Sequence, residues 1–168
     1  MLNRTARCLL LAVMLATAGC GYRLARKGPA GGETVAIPVF ANKSLRPNLE
    51  AWLTARLVDE FAAARGGRVV PVDRADLELN GTILSYVTTA SAFSAADRMA
   101  MYKAEMTVEA VLRQRKSGTV IWKGTVRAAQ DYPVNADLAL QLNAEEAAGR
   151  ELCRKIAEEI SRRSGETF

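Results

Sequence analysis

Three segments in the middle of the chain alternate between apolar and polar residues, which is the pattern of strands that bury one face. They begin at Leu77, Tyr102 and Val120. This alternation predicts an antiparallel meander with one buried face and one wet face. The residues predicted to point inward are Leu77, Leu79, Gly81, Ile83, Ser85 and Val87, then Tyr102, Ala104, Met106, Val108, Ala110 and Leu112, then Val120, Trp122, Gly124 and Val126.

Two segments with helical periodicity flank the meander. The first helix is predicted over about residues 47–65 and the second over about residues 137–163. Asn143 and Glu146 have the spacing of a capping box, which predicts that the first turn or two of the second helix are separate or kinked. The apolar stripe of the first helix consists of Leu49, Leu53, Leu57 and Phe61.

A short apolar segment over residues 34–40 predicts one further strand before the first helix. Pro38 cannot donate to a ladder, so this strand belongs at a sheet edge or at a bulge. The predicted order is β-α-β-β-β-α, an α+β fold with a four-stranded mixed sheet. Because each helix has one apolar stripe and the sheet has one apolar face, both helices are expected on the same face. The other face would stay exposed, with Lys103, Lys123 and Arg127 on it.

Residues 1–19 have the features of an export signal. Arg4 and Arg7 provide a positive start, and residues 8–16 are apolar. A helix of about nine apolar residues rises only ~14 Å, which is too short for a hydrocarbon core of roughly 30 Å. We therefore expect a cleaved signal peptide rather than a membrane-spanning anchor.

The residues that follow, Thr17-Ala18-Gly19-Cys20, resemble the lipobox of bacterial lipoproteins, although Thr17 stands where most members have Leu. In such proteins the Cys sulfur receives a diacylglycerol and the Cys amine, once freed by cleavage, receives a further acyl chain. The resemblance implies cleavage between Gly19 and Cys20 and a covalent lipid on Cys20, an anchor that is effectively permanent. An ordinary secretory signal that ends near a Cys is the alternative. Gly21 resembles the sorting pattern of outer-membrane lipoproteins.

Residues 20–33 are rich in Gly and in basic residues, which predicts a lipidated flexible tether before a single domain over residues 34–168. The fourteen residues from Cys20 to Thr34 can span at most ~45–50 Å. The basic residues of the tether favour an anionic lipid surface. They are Arg23, Arg26 and Lys27.

Net charge and cysteine content narrow the classes of partner. The 168 residues carry a net charge of +5, and loss of the two signal arginines leaves 21 basic and 18 acidic residues, or +3. This modest charge does not indicate a nucleic-acid binder. Cys153 would be the last free thiol of the mature chain, and its place on the apolar side of a helix indicates a packing role.

The chain contains no histidine. This excludes Ser-His-Asp and Cys-His nucleophile pairs and His-ligated zinc. A Gly-rich phosphate loop and a GxSxG motif are also missing from the sequence. We therefore expect a protein that is not an enzyme, with no metal and no cofactor other than the lipid on Cys20. A hydrolase with an unrecognised carboxylate pair is the enzymatic alternative.

Several stretches resemble the LPS-assembly lipoproteins of the LptE family, and together they cover nearly the whole chain. The resemblance implies a protein that plugs the outer-membrane β-barrel LptD, assists its assembly and helps to pass lipopolysaccharide to the cell surface. It also implies a lipid-anchored location on the periplasmic side of the outer membrane. The stretches are Cys20-Gly21-Tyr22-Arg23-Leu24, Ile37-Pro38-Val39-Phe40-Ala41-Asn42, Pro47-Asn48-Leu49-Glu50, Thr89-Ala90-Ser91-Ala92-Phe93, Tyr102, Met106-Thr107-Val108-Glu109-Ala110 and Asp131-Tyr132-Pro133.

Few of the basic residues that family members bear at particular positions have a counterpart in this chain. Some members bear a basic residue just after the Phe of the loop between the second and third strands, where this chain has Ser94 and, nearest, Arg98. A second basic position of the family falls on Gln141.

A polar, mildly basic sheet face would suit both the interior of a large barrel and a phosphorylated glycolipid. The candidate contacts for lipopolysaccharide or the barrel are therefore Arg98, Lys103, Lys123 and Arg127, and a solubilising role is the alternative for each. For the whole chain, the alternative function is a pilotin-like or structural envelope adaptor that binds no glycolipid.

Overall fold

The structure is a computed structural model that describes residues 33–64, 68–93 and 99–166. Cys20, Gly19 and Arg98 lie outside these ranges, so the predictions about them remain predictions. The described elements are β1 Val35–Ala36, β2 Ala41–Asn42, α1 Leu49–Ala64, a 3-10 turn Val72–Arg74, β3 Leu77–Phe93, β4 Met99–Gln114, β5 Val120–Pro133 and α2 Leu138–Gly165.

The predicted α+β class is confirmed, with five strands in the sheet rather than four. β3, β4 and β5 form the antiparallel meander, and β1 and β2 both lie parallel along the other edge of β3. The first predicted strand is split because Pro38 has no N–H to donate to the ladder. After this break Val39 is 69% exposed, and Phe40 turns into the core instead.

Both helices lie on the same face of the sheet, as predicted. Leu53 of α1 and Ile156 of α2 belong to the same buried cluster as Met106 and Leu112 of β4. Each side chain of this size contributes about 1.5–3 kcal/mol when it is fully buried. In the described residues no helix covers the opposite face of the three long strands.

A β-bulge in β3 exchanges the side chains that point into the core with those that point outward in the second half of this strand. The register between β3 and β4 shifts between Ile83 and Ser85, so that Tyr86 lies opposite buried Met106. Val87 is consequently 50% exposed. The prediction that Ser85 and Val87 point inward is wrong, because one extra residue in a strand of period two exchanges the faces.

A second bulge, at the start of β5, likewise changes which side chains point into the core. The register shifts between the pair Leu112–Trp122 and the pair Arg113–Val120. Val120 is therefore 46% exposed, which contradicts its predicted inward position. Val126, beyond the shift, is buried as predicted.

α2 runs without interruption from its first residue to its last. The side chain of Asp137 accepts hydrogen bonds from the backbone N–H groups of Ala139 and Leu140, which satisfies two donors that a helix start leaves open. The predicted separate first turn is wrong, because the cap is Asp137 and not Asn143. Neither helix of the described residues combines the length and apolarity that crossing a membrane requires.

The long strands give the domain two distinct ends. At one of them Thr34, where the predicted tether would join, donates its N–H to the Asp76 carboxylate, and the backbone N–H of Arg115 donates to the Asp76 carbonyl. We call this the tether end. The opposite end, where β3 passes into β4, is the hairpin end. The 17 residues of β3 rise about 3.3 Å each, so the two ends are ~55 Å apart.

Candidate functional site

The candidate site is the face of the sheet opposite the helices, which we call the outer face. It is built from alternate residues of β3, β4 and β5, because successive side chains of a strand point to opposite faces. Lys103 of β4 lies opposite Asp131 of β5, and Thr107 lies opposite Arg127. Lys123 lies nearer the tether end, opposite Val111. The outer face therefore brings three of the four candidate cations onto one surface.

The charges of the outer face are balanced. In the described residues, four basic and four acidic side chains occupy its outward positions. The four middle cross-strand rows contain a cation and a carboxylate in turn, at a spacing of about 7 Å between rows. Each of the two end rows contains one cation and one carboxylate. The expectation of a mildly basic face is therefore wrong. The residues are Lys103, Arg113, Lys123 and Arg127 with Glu78, Glu105, Glu109 and Asp131.

The three candidate cations differ in their surroundings. Lys123 Nζ lies 3.4 Å from a carboxylate oxygen of Glu109, and both side chains are exposed. Such a pair contributes about 0.2–1 kcal/mol but lowers the local positive charge. Arg127 borders a shallow depression of about 350 Å³ that is also lined by Glu105 and Thr107. Neither Arg127 nor Lys103 has a carboxylate within 4.0 Å in the described part of the chain.

An aromatic cluster supports the opposite side of the sheet near the hairpin end. The ring centroids of Tyr102 and Tyr132 are 5.5 Å apart. Burial, assisted by the negative charge of Glu145, raises the pKa of Tyr86 to about 12. Glu145 in turn accepts a hydrogen bond of 2.7 Å from Arg46, and both side chains are about three-quarters buried. The Arg46–Glu145 pair therefore holds the loop before α1 against α2, beside the aromatic cluster.

A groove of about 490 Å³ lies between the two helices. The Arg150 guanidinium carbon stands 4.7 Å from the centroid of the Trp52 ring, a cation–π contact. Arg150 also pairs with Glu146, and Arg154 pairs with Glu151. The groove is not predicted from the sequence, where these arginines belong to a solvated helix face. The one-turn spacing of Arg150 and Arg154 is a local signal, but Trp52, the partner of Arg150, lies far away in the chain.

The described residues contain no group of three or more His, Cys, Asp or Glu side chains that could hold a metal. Cys153 is fully buried, and its Sγ lies 3.9 Å from the Leu49 carbonyl oxygen. Burial raises the pKa of this thiol to about 12. A thiol in this state is a poor nucleophile, so Cys153 is a packing residue.

A sequence profile of the lipopolysaccharide-assembly proteins, LptE, matches residues 32–164. The match covers both helices and all five strands, which is most of the chain. The chain belongs to the LptE family. Membership in this family makes it a lipopolysaccharide-assembly protein of the cell envelope, and it confirms the resemblance found in the sequence. None of the curated proteins compared with this LptE-family chain matches it.

Solved structures share the LptE-family fold at low sequence identity, which shows similarity of fold alone. Rare lipoprotein B from Shewanella oneidensis is 17% identical, with a TM-score of 0.53 over 79% of this chain and 95% of that chain. A minor lipoprotein from Acinetobacter baumannii is 16% identical, with a TM-score of 0.51 over 82% and 94%. The PelC dodecamer from Paraburkholderia phytofirmans is 17% identical, with a TM-score of 0.51 over 80% and 89%.

Proposed function

We propose that this LptE-family chain is a lipid-anchored accessory that plugs the β-barrel LptD, assists its assembly and helps to pass lipopolysaccharide to the cell surface. Membership in the family supports this role. In the proposal, signal cleavage after Gly19 and acylation of Cys20 hold the domain on the periplasmic side of the outer membrane. The chain supplies a surface and no catalytic step.

The observation that carries the proposal is the uncovered outer face. Its strands are 14 to 17 residues long, and its side chains are predominantly polar. The interior of a large transport barrel is also polar, so the polar side chains of the outer face match the surface that would surround them. The alternating charges of the middle rows favour one alignment of the outer face along a barrel wall of complementary charge. Such complementarity contributes to specificity more than to affinity.

Lys103 and Arg127 are the residues that we assign to phosphate contact. A guanidinium or ammonium group binds phosphate through charge-assisted hydrogen bonds when no carboxylate already neutralises it. Lys123 is a weaker candidate because Glu109 lies 3.4 Å from its Nζ. Arg98 lies outside the described residues and is assigned by its place in the sequence between β3 and β4.

In-cell photocrosslinking tests the barrel contact. A photoreactive amino acid is placed in turn at Lys103, Lys123 and Arg127, with Arg98 as a further position. Ala63, which is exposed on α1, is the control on the helix side. We expect LptD to be captured from the outer-face positions more efficiently than from Ala63. Capture of LptD from none of these positions, together with normal LptD and surface lipopolysaccharide after depletion of the chain, would overturn the proposal.

The balanced charge of the outer face favours a second candidate, an envelope adaptor that binds no glycolipid. Equal numbers of cations and carboxylates give no net attraction for phosphate beyond the contact distance. Binding of the purified mature protein to lipopolysaccharide separates the two candidates. Under the first, the Lys103→Gln/Arg127→Gln variant binds more weakly than wild type, and Lys123→Gln binds almost normally. Under the second, wild type itself shows no salt-sensitive binding.

A further inference from the structure

The tether end carries a cluster of basic side chains to which no phosphate or crosslink contact is assigned above, although one of them, Arg113, also lies on the outer face. Arg68, Arg113 and Lys116 are exposed at this end of the domain. In the described ranges, no carboxylate lies within 4.0 Å of their charged nitrogens. These three cations are therefore available to a partner.

Separate segments of the chain bring these cations together. The carbonyl of Arg68 accepts a hydrogen bond of 3.0 Å from the N–H of Val35, in the strand that follows the tether. Lys116 lies in the turn between β4 and β5. The pKa of Asp76 is lowered first by hydrogen bonds from Thr34 and then by the positive charges of Lys116 and Arg68, so both cations lie near this carboxylate.

The other charges of the tether end largely neutralise one another. Arg74 lies 3.7 Å from Asp73, and Arg115 lies 3.6 Å from Glu78. Two further carboxylates lie at this end, Glu33 and Asp76, and Asp76 accepts two hydrogen bonds from Thr34. In the described residues five cations at this end thus face four carboxylates, which leaves a surplus of one positive charge, and the three cations named above are the ones without an ion pair.

The chain outside the described residues continues from this same end. Cys20 precedes Thr34 by fourteen residues, so an acyl group on Cys20 holds the tether end within ~45–50 Å of its membrane. Arg23, Arg26 and Lys27 lie along this connection. The hairpin end is ~55 Å farther along the strands. The surplus positive charge thus lies at the end that the anchor keeps nearest to the lipid.

We propose that the tether end binds the anionic phospholipid headgroups of the leaflet that carries the Cys20 lipid. A basic side chain close to an anionic membrane surface strengthens binding roughly fivefold. Membrane contact at this end fixes which end of the domain faces the headgroups of the anchored leaflet. The inference rests on the proposed lipid anchor, but it requires neither LptD nor lipopolysaccharide.

Vesicle binding of the mature chain, residues 20–168 with Cys20→Ser, tests this surface without help from an acyl group. The expected result is binding to vesicles of equimolar phosphatidylcholine and phosphatidylglycerol, weakened by salt, and little binding to phosphatidylcholine alone. The variant Arg68→Gln/Arg113→Gln/Lys116→Gln should bind on the order of a hundredfold more weakly. The matched control, Lys43→Gln/Arg56→Gln/Arg150→Gln, loses the same charge from the loop before α1 and from the helices, where no phosphate contact is assigned, and should bind nearly as wild type does.

Three results would overturn the inference. These are equal binding to both vesicles, an equal loss in the two triple variants, and stronger binding to lipopolysaccharide micelles that depends on the same tether-end cations. Circular dichroism checks that both variants fold. If the first does not, Lys116→Gln alone, in an exposed turn, should weaken binding about fivefold, and unchanged binding would reject the surface. The barrel crosslinks use other residues, so they succeed or fail independently.

Discussion

The ring of Phe40 lies directly against the α-carbon of Gly81 in β3. A β-carbon built on Gly81 would lie 2.1 Å from Cε1 of Phe40 and 2.7 Å from the carbonyl oxygen of Glu109. The backbone N–H of Phe40 donates to the hydroxyl of Thr54, at 3.1 Å. This contact therefore joins the segment between β1 and β2 to both the sheet and α1, and it requires a residue without a side chain in β3.

The first prediction concerns Gly81→Ala. The added methyl group must displace a buried ring and a strand, and overpacking of this kind costs typically 1–3 kcal/mol. We expect a lower free energy of unfolding in urea by about this amount. Gly149→Ala is the control, because its added β-carbon would meet Trp52 at 3.4 Å, an ordinary contact, and alanine is the better helix former. Equal stability of Gly81→Ala and wild type would show that Phe40 does not occupy this position.

The free edge of β5 gives the second prediction. Lys155 Nζ donates to the Ala129 carbonyl at 3.0 Å and to the Gln130 side-chain oxygen at 2.9 Å. An open strand edge pairs readily with another chain. We expect Lys155→Met to self-associate as its concentration rises in sedimentation velocity experiments. Arg162→Gln, which loses the same charge from an arginine that bonds Glu159 instead of β5, should stay at the wild-type sedimentation coefficient. Concentration-independent sedimentation of both variants would contradict the edge-capping role.

The third prediction is a pH dependence of stability. Hydrogen bonds from Thr34 hold the pKa of Asp76 below its ordinary value of 3.8. A group whose pKa is lower in the folded state adds stability above its unfolded pKa and loses it as the pH falls through the folded value. Asp76→Asn should therefore reduce the free energy of unfolding at neutral pH, and the difference from wild type should shrink below about pH 4. Asp73→Asn, on an exposed side chain of the neighbouring turn, serves as the control.

One result of the pH series would contradict the prediction for Asp76→Asn. If the difference between wild type and Asp76→Asn stays constant from neutral to acid pH, the carboxylate charge does not contribute to folding. In that case any loss of stability would come from the altered hydrogen bonds with Thr34 and not from the negative charge.

The fourth prediction concerns the reactivity of Cys153. Its thiol is fully buried, and its pKa is raised to about 12. Because the thiolate is the nucleophile, iodoacetamide should not alkylate Cys153 in the native protein at about pH 8 and should do so readily in concentrated urea. Mass spectrometry of the intact mature chain, residues 20–168 with Cys20→Ser, measures the extent of labelling, because Cys153 is its only cysteine. Rapid labelling without urea would show that α2 does not seal this position.

The sequence alone predicts the elements whose signal is local. β4 keeps its alternation from Tyr102 to Leu112, because period two is a property of the strand itself and no bulge interrupts it before Leu112. The stripe from Leu49 to Phe61 likewise predicts the buried face of α1. Since both helices and the sheet each have one apolar face, their two-layer arrangement follows without knowledge of the register.

Tertiary structure decides the features that depend on a partner. The bulge between Ile83 and Ser85 exists only relative to β4, and it moves Val87 to the outer face. The same register places equal numbers of cations and carboxylates on that face, in the same or in neighbouring cross-strand rows, which removes the basic character expected of it. The surplus charge of the tether end comes from segments far apart in the chain that hydrogen bonds draw together. Composition and local pattern count such charges but do not locate them, because only the folded chain sets the distances between residues remote in sequence.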